Sequence, residues 1–160
     1  MAAGSWTDDT FVPVGPRPYL DRLIAEYRLS EKHIRDRIKV RTDGPWDSGR
    51  AAEVTYLVDE TLLRSYGAFP CAGDPEALAF CEEIADRMEL AYDIPRAEAV
   101  ARINRQWSEP GESGRVPRIW IVGLDLLYHE TADYWAADIY YGHDSFWWLP
   151  DADPQPLPPP

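Results

Sequence analysis

Two of the three histidines in this 160-residue chain, His129 and His143, flank Asp133 in one acidic stretch. Imidazole nitrogen and carboxylate oxygen ligate divalent metals. Residues four apart share a helix face, so a helix would bring His129 and Asp133 together, with His143 completing the set. The chemistry would be that of a metal-dependent hydrolase around His129, Asp133 and His143. The residues of other catalytic devices are missing. There is no Gly-rich phosphate loop, no Gly-x-Ser-x-Gly and no Cys with a placed His base. Carboxylate pairs such as Glu82/Glu83 and Asp59/Glu60 fall on amphipathic runs and read as solvated faces, so no catalytic residue is assigned and no cofactor is expected.

The stretch HETAD, residues 129–133, resembles the H-E-x-x-H motif of zinc proteases. Asp133 replaces the second His, and Thr131 can cap a helix inside the motif, which would break that geometry.

A second group of residues could bind rather than react. Residues 17–41 carry eight basic side chains against four acidic ones, a local +4, while the remainder of the chain is −16 and the total −12. Phosphate binding is driven by charge neutralisation, so nucleic acid is expected only through residues 20–41. Here LIAEYRLSEKHIRDRI, residues 23–38, places an aliphatic-Ser turn (Leu29, Ser30) before Ile34, Arg35 and Ile38. The segment resembles the helix-turn-helix of bacterial transcription regulators. The resemblance implies that Ser30 caps a recognition helix, that Ile34 and Ile38 dock it, and that Lys32, His33, Arg35 and Arg37 face DNA. Arg28 stands where that turn usually has Gly, and Ile24 where a small residue normally lets the helices approach.

A third group is aromatic. Residues 116–149 hold nine of the twenty Phe, Trp and Tyr side chains. Tyr140, Tyr141, Trp147 and Trp148 are the candidate anchors for a protein partner, and the acidic surface suits a basic one. The profile is similar to that of small acidic inhibitors of bacterial nuclease toxins. The preferred reading is a non-enzymatic cytosolic protein-binding module of the immunity or inhibitor kind. A DNA-binding regulator with a helix-turn-helix at residues 20–41 is the alternative, and the hydrolase is the second alternative.

The elements that would position these groups follow from periodicity. Apolar stripes at helical spacing predict a helix through Tyr19–Tyr27, a short one capped by Ser30 and carrying Ile34 and Ile38, and one opened by Asp47 or Ser48 with Val54, Leu57, Val58 and Leu62 on one face. A fourth is capped by Asp74 with Pro75 at its first position. A fifth starts at Pro95, and another is capped by Thr131, carries Trp135 and Ile139, and stops at Gly142. The expected fold is all-α: one domain at 17–149 of five to six helices packed as αα-hairpins, between a flexible tail at 1–16 and a Pro-rich disordered tail at 150–160. The alternative is α+β with a small sheet from residues 118–148. AEYRLSEKHIRDRIK (25–39) and LAYDIPRAEAVARINR (90–105) resemble each other, as two αα-hairpins built the same way would. Apolar runs are too short for a membrane span, no basic and apolar leader is seen, and Cys71 and Cys81 are expected as reduced core residues of a cytoplasmic protein. Fourteen of the sixteen basic residues are Arg, as in a GC-rich bacterial genome.

Overall fold

The structure, a computed structural model, describes residues 11–43, 53–109 and 130–160. The chain divides into two compact units, Met1–Arg64 and Ser65–Pro160.

The first unit contains β1 (Phe11–Gly15), α1 (Arg17–Tyr27), α2 (Glu31–Arg37), β2 (Ile38–Asp43) and β3 (Glu53–Asp59), followed by a 3₁₀ turn at Glu60–Leu62. The strands form an antiparallel sheet in the order β1-β3-β2. The all-α expectation is therefore wrong; the fold is α+β. The alternative sheet was misplaced as well. Residues 132–141 are helical, and 118–129 lie outside the described residues.

The reason for the error is visible in β3. Val54, Leu57, Val58 and Leu62 fit a helical stripe, but Val54, Tyr56 and Val58 also alternate with period two. β-branched and aromatic content favours the pleated form once partners exist on both sides. Val12 and Ile38 flank Val58 in register. Val58 and Val14 are buried with Leu20, Leu23 and Tyr27 of α1, which makes the core of this unit. Burying each of those large side chains contributes about 2 kcal/mol. β1 is an edge strand, which is where Pro13 is tolerated in a sheet. α2 ends at Arg37, so Ile38 opens β2 instead of completing a helical face.

The second unit is built on α3 (Pro75–Tyr92), α4 (Arg96–Trp107) and α5 (Ala132–Tyr141), with a 3₁₀ turn at His143–Ser145. Here the sequence signals operate as expected. Asp74 Oδ1 accepts from Ala77 N at 2.7 Å with Pro75 at the first position, and Thr131 Oγ1 accepts from Tyr134 N at 3.2 Å. Gly142, at φ 85°, ends α5. Ala77, Ala85, Ala99, Ala132 and Ala136 let the helices approach around Cys81, Ile84, Met88, Ile103 and Ile139. Cys71 and Cys81 are free, buried thiols with Sγ atoms 3.9 Å apart; that mutual contact and burial push the Cys81 thiol up. The Pro-rich tail is tied at two points. Leu157 N donates to Tyr140 O at 2.8 Å, and Arg105 Nη1 donates to Pro158 O at 2.7 Å. Among the described residues, no helix is long and apolar enough to cross a membrane.

Candidate functional site

The segment carrying the helix-turn-helix resemblance folds as two helices joined by the three residues Arg28, Leu29 and Ser30. Arg28 takes the left-handed conformation, φ 51° and ψ 50°. Its N–H reaches Ala25 O at 3.4 Å, and Leu29 N reaches Ile24 O at 3.1 Å. This pair of bonds is the Schellman closure of a helix C-terminus. The usual Gly of such turns is explained by that φ, and Arg28 occupies it against a steric cost. Ser30 then opens α2. Its Oγ accepts from His33 N at 3.2 Å, while its own N–H donates to His33 Nδ1 at 3.4 Å. His33 therefore serves as the reciprocal partner of a capping box, with Nδ1 as the acceptor.

The four residues proposed to face DNA divide accordingly. Lys32 is exposed, and Arg35 is 73% exposed with, among the described residues, its sequence neighbour Asp36 as ion-pair partner, at 3.3 Å. His33 is engaged in the cap. Arg37 is held: Nη1 donates to Asp59 Oδ2 at 2.8 Å and to Thr61 Oγ1 at 3.3 Å. Asp59 also accepts from Thr61 N at 3.0 Å and Thr61 Oγ1 at 2.8 Å. Burial works against ionising this carboxyl, but the bonds from Thr61 and Arg37 outweigh it and hold Asp59 below its ordinary 3.8. This cluster joins the end of α2 to the end of β3, and Asp59 lies too far from Arg37 in sequence for periodicity to pair them.

More cations follow on β2. Lys39 and Arg41 alternate with Ile38, which pairs with buried Val58, so they lie on the opposite face of the sheet. With Phe11, Pro13, Val40, Thr42 and Leu57 they line a 560 Å³ cleft, in which Lys39 Nζ sits 4.0 Å from the Phe11 ring centroid. The first unit as a whole holds ten of the sixteen basic residues and eleven of the twenty-eight acidic ones, a net −1 against −11 for residues 65–160.

The same hairpin device recurs in the second unit. α3 ends at Tyr92 as α1 ends at Tyr27, Asp93 is left-handed at φ 51° and ψ 43°, and Pro95 precedes α4. There the arginines are consumed. Arg96 pairs with Asp86 and Glu89. Arg102, 2% exposed, pairs with Glu98 at 2.8 Å and lies over the Tyr140 ring at 4.8 Å, and Arg105 holds the tail. Only the first hairpin presents cations outward on its second helix.

The aromatic candidates also separate. Tyr140 stacks on Tyr92 with centroids 3.9 Å apart, and Tyr141 meets both rings edge-on, so these two are packing groups. Burial, with Tyr141, Tyr140 and Asp133 adding to it, pushes the Tyr92 hydroxyl up to about 12. Trp147 is half-buried and donates from Nε1 to Asp138 Oδ1 at 3.1 Å. The same oxygen lies 3.0 Å from His143 Nδ1, so one buried carboxylate pins both residues. Between them Phe146 is left-handed at φ 52°, and Phe146, Trp148 and Leu149 are exposed. Sequence reasoning named Trp147 and Trp148 but missed Asp138, whose only signal was a carboxylate on an otherwise apolar helix face.

Of the proposed metal ligands, Asp133 and His143 contact different groups. His129 lies outside the described residues. Asp133 occupies the first turn of α5, 3.7 Å from Arg87 Nε, and His143 follows the C-terminal end of that helix, with Nδ1 3.0 Å from Asp138 Oδ1. Thr131 caps α5, so the helix begins inside the HETAD stretch. Among the described residues, no three His, Cys, Asp or Glu groups are placed to hold a metal ion.

No protein-family model, curated protein or solved structure matches the chain.

Proposed function

We propose that this protein binds duplex DNA through its first unit, with α2 as the element presented to the groove. One observation carries the reading: a closed three-residue turn delivers a Ser30-capped helix whose outward face holds Lys32 and Arg35. Helix-turn-helix units contact base edges from the N-terminal part of their second helix, which is where Lys32 lies. The sheet supports the arrangement from behind, since Arg37 anchors the end of α2 to Asp59. A net −1 for the whole unit makes the attraction local to residues 17–41 rather than general.

The test is a mobility-shift titration of the full chain on random-sequence duplex from low to moderate salt. The comparison is a Lys32→Ala, Arg35→Ala variant, with Arg87→Ala in the other unit as a charge control. Each phosphate contact removed should lower the slope of log affinity against log salt by about 0.9, which at 0.1 M salt is close to tenfold per contact. Arg37 is left intact because its loss would disturb the Asp59 cluster. Absence of binding at low salt, or equal loss in the Arg87→Ala control, rejects the proposal.

A further inference from the structure

We infer that the turn at residues 143–149 is a docking surface for an arginine-rich segment of another protein. The inference is independent of the DNA reading, since it uses the second unit alone.

The surface is a constructed one. Asp138, on α5, is 6% exposed and accepts from Trp147 while contacting His143, so two residues of the turn are held to one buried carboxylate. Trp147 also packs edge-on against Tyr134, at 5.1 Å between centroids. Phe146 lies between these two held residues, and Trp148 and Leu149 follow directly after them. Phe146 adopts a left-handed backbone that a bulky residue occupies only when its surroundings impose it. It is 54% exposed, Trp148 42% and Leu149 50%. The Phe146 and Trp148 rings meet at 5.6 Å and 65°, and Trp148 also meets the His143 ring at 4.9 Å and the Trp147 ring edge-on at 5.6 Å, so the exposed part of this aromatic group is led by Phe146. Three adjacent large apolar side chains held out in this way are what a protein contact uses as its centre.

Charge selects the occupant. Residues 130–160 contain six side-chain carboxylates and no Lys or Arg, and the exposed Asp144 and Asp151 flank the aromatic residues in sequence. The unit as a whole is −11, so a nucleic acid, or the same unit of a second copy, would meet like charge. A cation that can lie flat on an aromatic face while bonding a carboxylate fits, and guanidinium does this better than ammonium. The unit already contains one such arrangement, Arg102 between Tyr140 and Glu98. At residues 143–149 exposed aromatic side chains and flanking carboxylates are present, and the guanidinium would come from the partner.

The experiment is fluorescence anisotropy of a short labelled Arg-rich peptide titrated with the full chain, beside its Lys and Glu counterparts. The variants are Phe146→Gly with Trp148→Ala, and separately Asp144→Asn with Asp151→Asn. Gly suits the φ at position 146, so the first variant keeps its backbone. Expected are binding in the order Arg, Lys, Glu, and a loss of about tenfold in the aromatic variant from two lost cation–π contacts. Equal binding of Arg and Lys peptides, or an aromatic variant that binds like the native chain, overturns the inference. So does a dimer in sedimentation that dissociates in the aromatic variant, because the surface is then a self-interface.

Discussion

Arg28→Gly should stabilise the first unit, although it removes a side chain from a folded protein. Arg28 sits at φ 51°, where an L side chain costs about 1–2 kcal/mol and Gly nothing. Gly gives back about 0.5–1 kcal/mol through the greater freedom of the unfolded chain. The net is a gain of about 0.5–1 kcal/mol. Arg28→Ala keeps the Cβ and the strain, so it should change stability little. The readout is native-state hydrogen exchange on peptides spanning residues 17–37, since protection there reports the opening of α1 and α2. A gain of that size slows exchange about two- to fivefold in Arg28→Gly, with Arg28→Ala at the native rate. Asp93→Gly is the internal comparison. Its φ is the same, but Asp tolerates the left-handed region better than Arg, so its gain should be smaller. If Arg28→Gly exchanges as fast as Arg28→Ala, or faster, the steric account of the turn is wrong.

Two further expectations concern buried carboxylates. Asp59 titrates below its ordinary 3.8 in the folded unit, so its contribution is complete above that value and is lost as pH falls through the depressed one. Asp59→Asn should therefore flatten the acid-side loss of hydrogen-exchange protection in α2, and an unchanged acid profile would exclude Asp59 as its source. Asp138→Ala should cost about 1–3 kcal/mol by leaving Trp147 Nε1 unpaired, with a red-shifted tryptophan emission as the turn loosens. Asp138→Asn retains one acceptor and should cost less; equal cost and equal emission in the two variants would show that the carboxylate pins nothing.

The helices of the second unit were legible because their signals are local. Asp74-Pro75, Thr131 and Gly142 act within a turn of themselves, and each lies where the chain starts or stops a helix. The sheet was not legible, because its determinants are partners. β1 and β3 pair across more than forty residues, and Val54–Asp59 satisfies two periods until Val12 and Ile38 are beside it. Pro13 and Gly15 made the first strand read as a tail, yet at an edge and a bulge both are permitted.

For the candidate site, the distinction lay between motif and consequence. The turn Arg28-Leu29-Ser30 and the cap at Ser30 could be read directly from neighbouring residues. Which cations stay outward could not, since Arg37 is held by Asp59 and Thr61 from another strand. The repeated hairpin makes the point sharpest. Both copies share a Tyr, a left-handed residue and a second helix carrying both Arg and Ile. In α4 the arginines meet Asp86, Glu89, Glu98 and the tail, and the helix becomes part of a core. In α2, Lys32 and Arg35 are exposed, and Arg35 pairs with Asp36 of its own helix, so the same backbone device leaves cations at the surface of the first unit. The backbone motif therefore sets only the geometry of the two helices. The acids that surround the second helix decide whether it can serve as a binding surface.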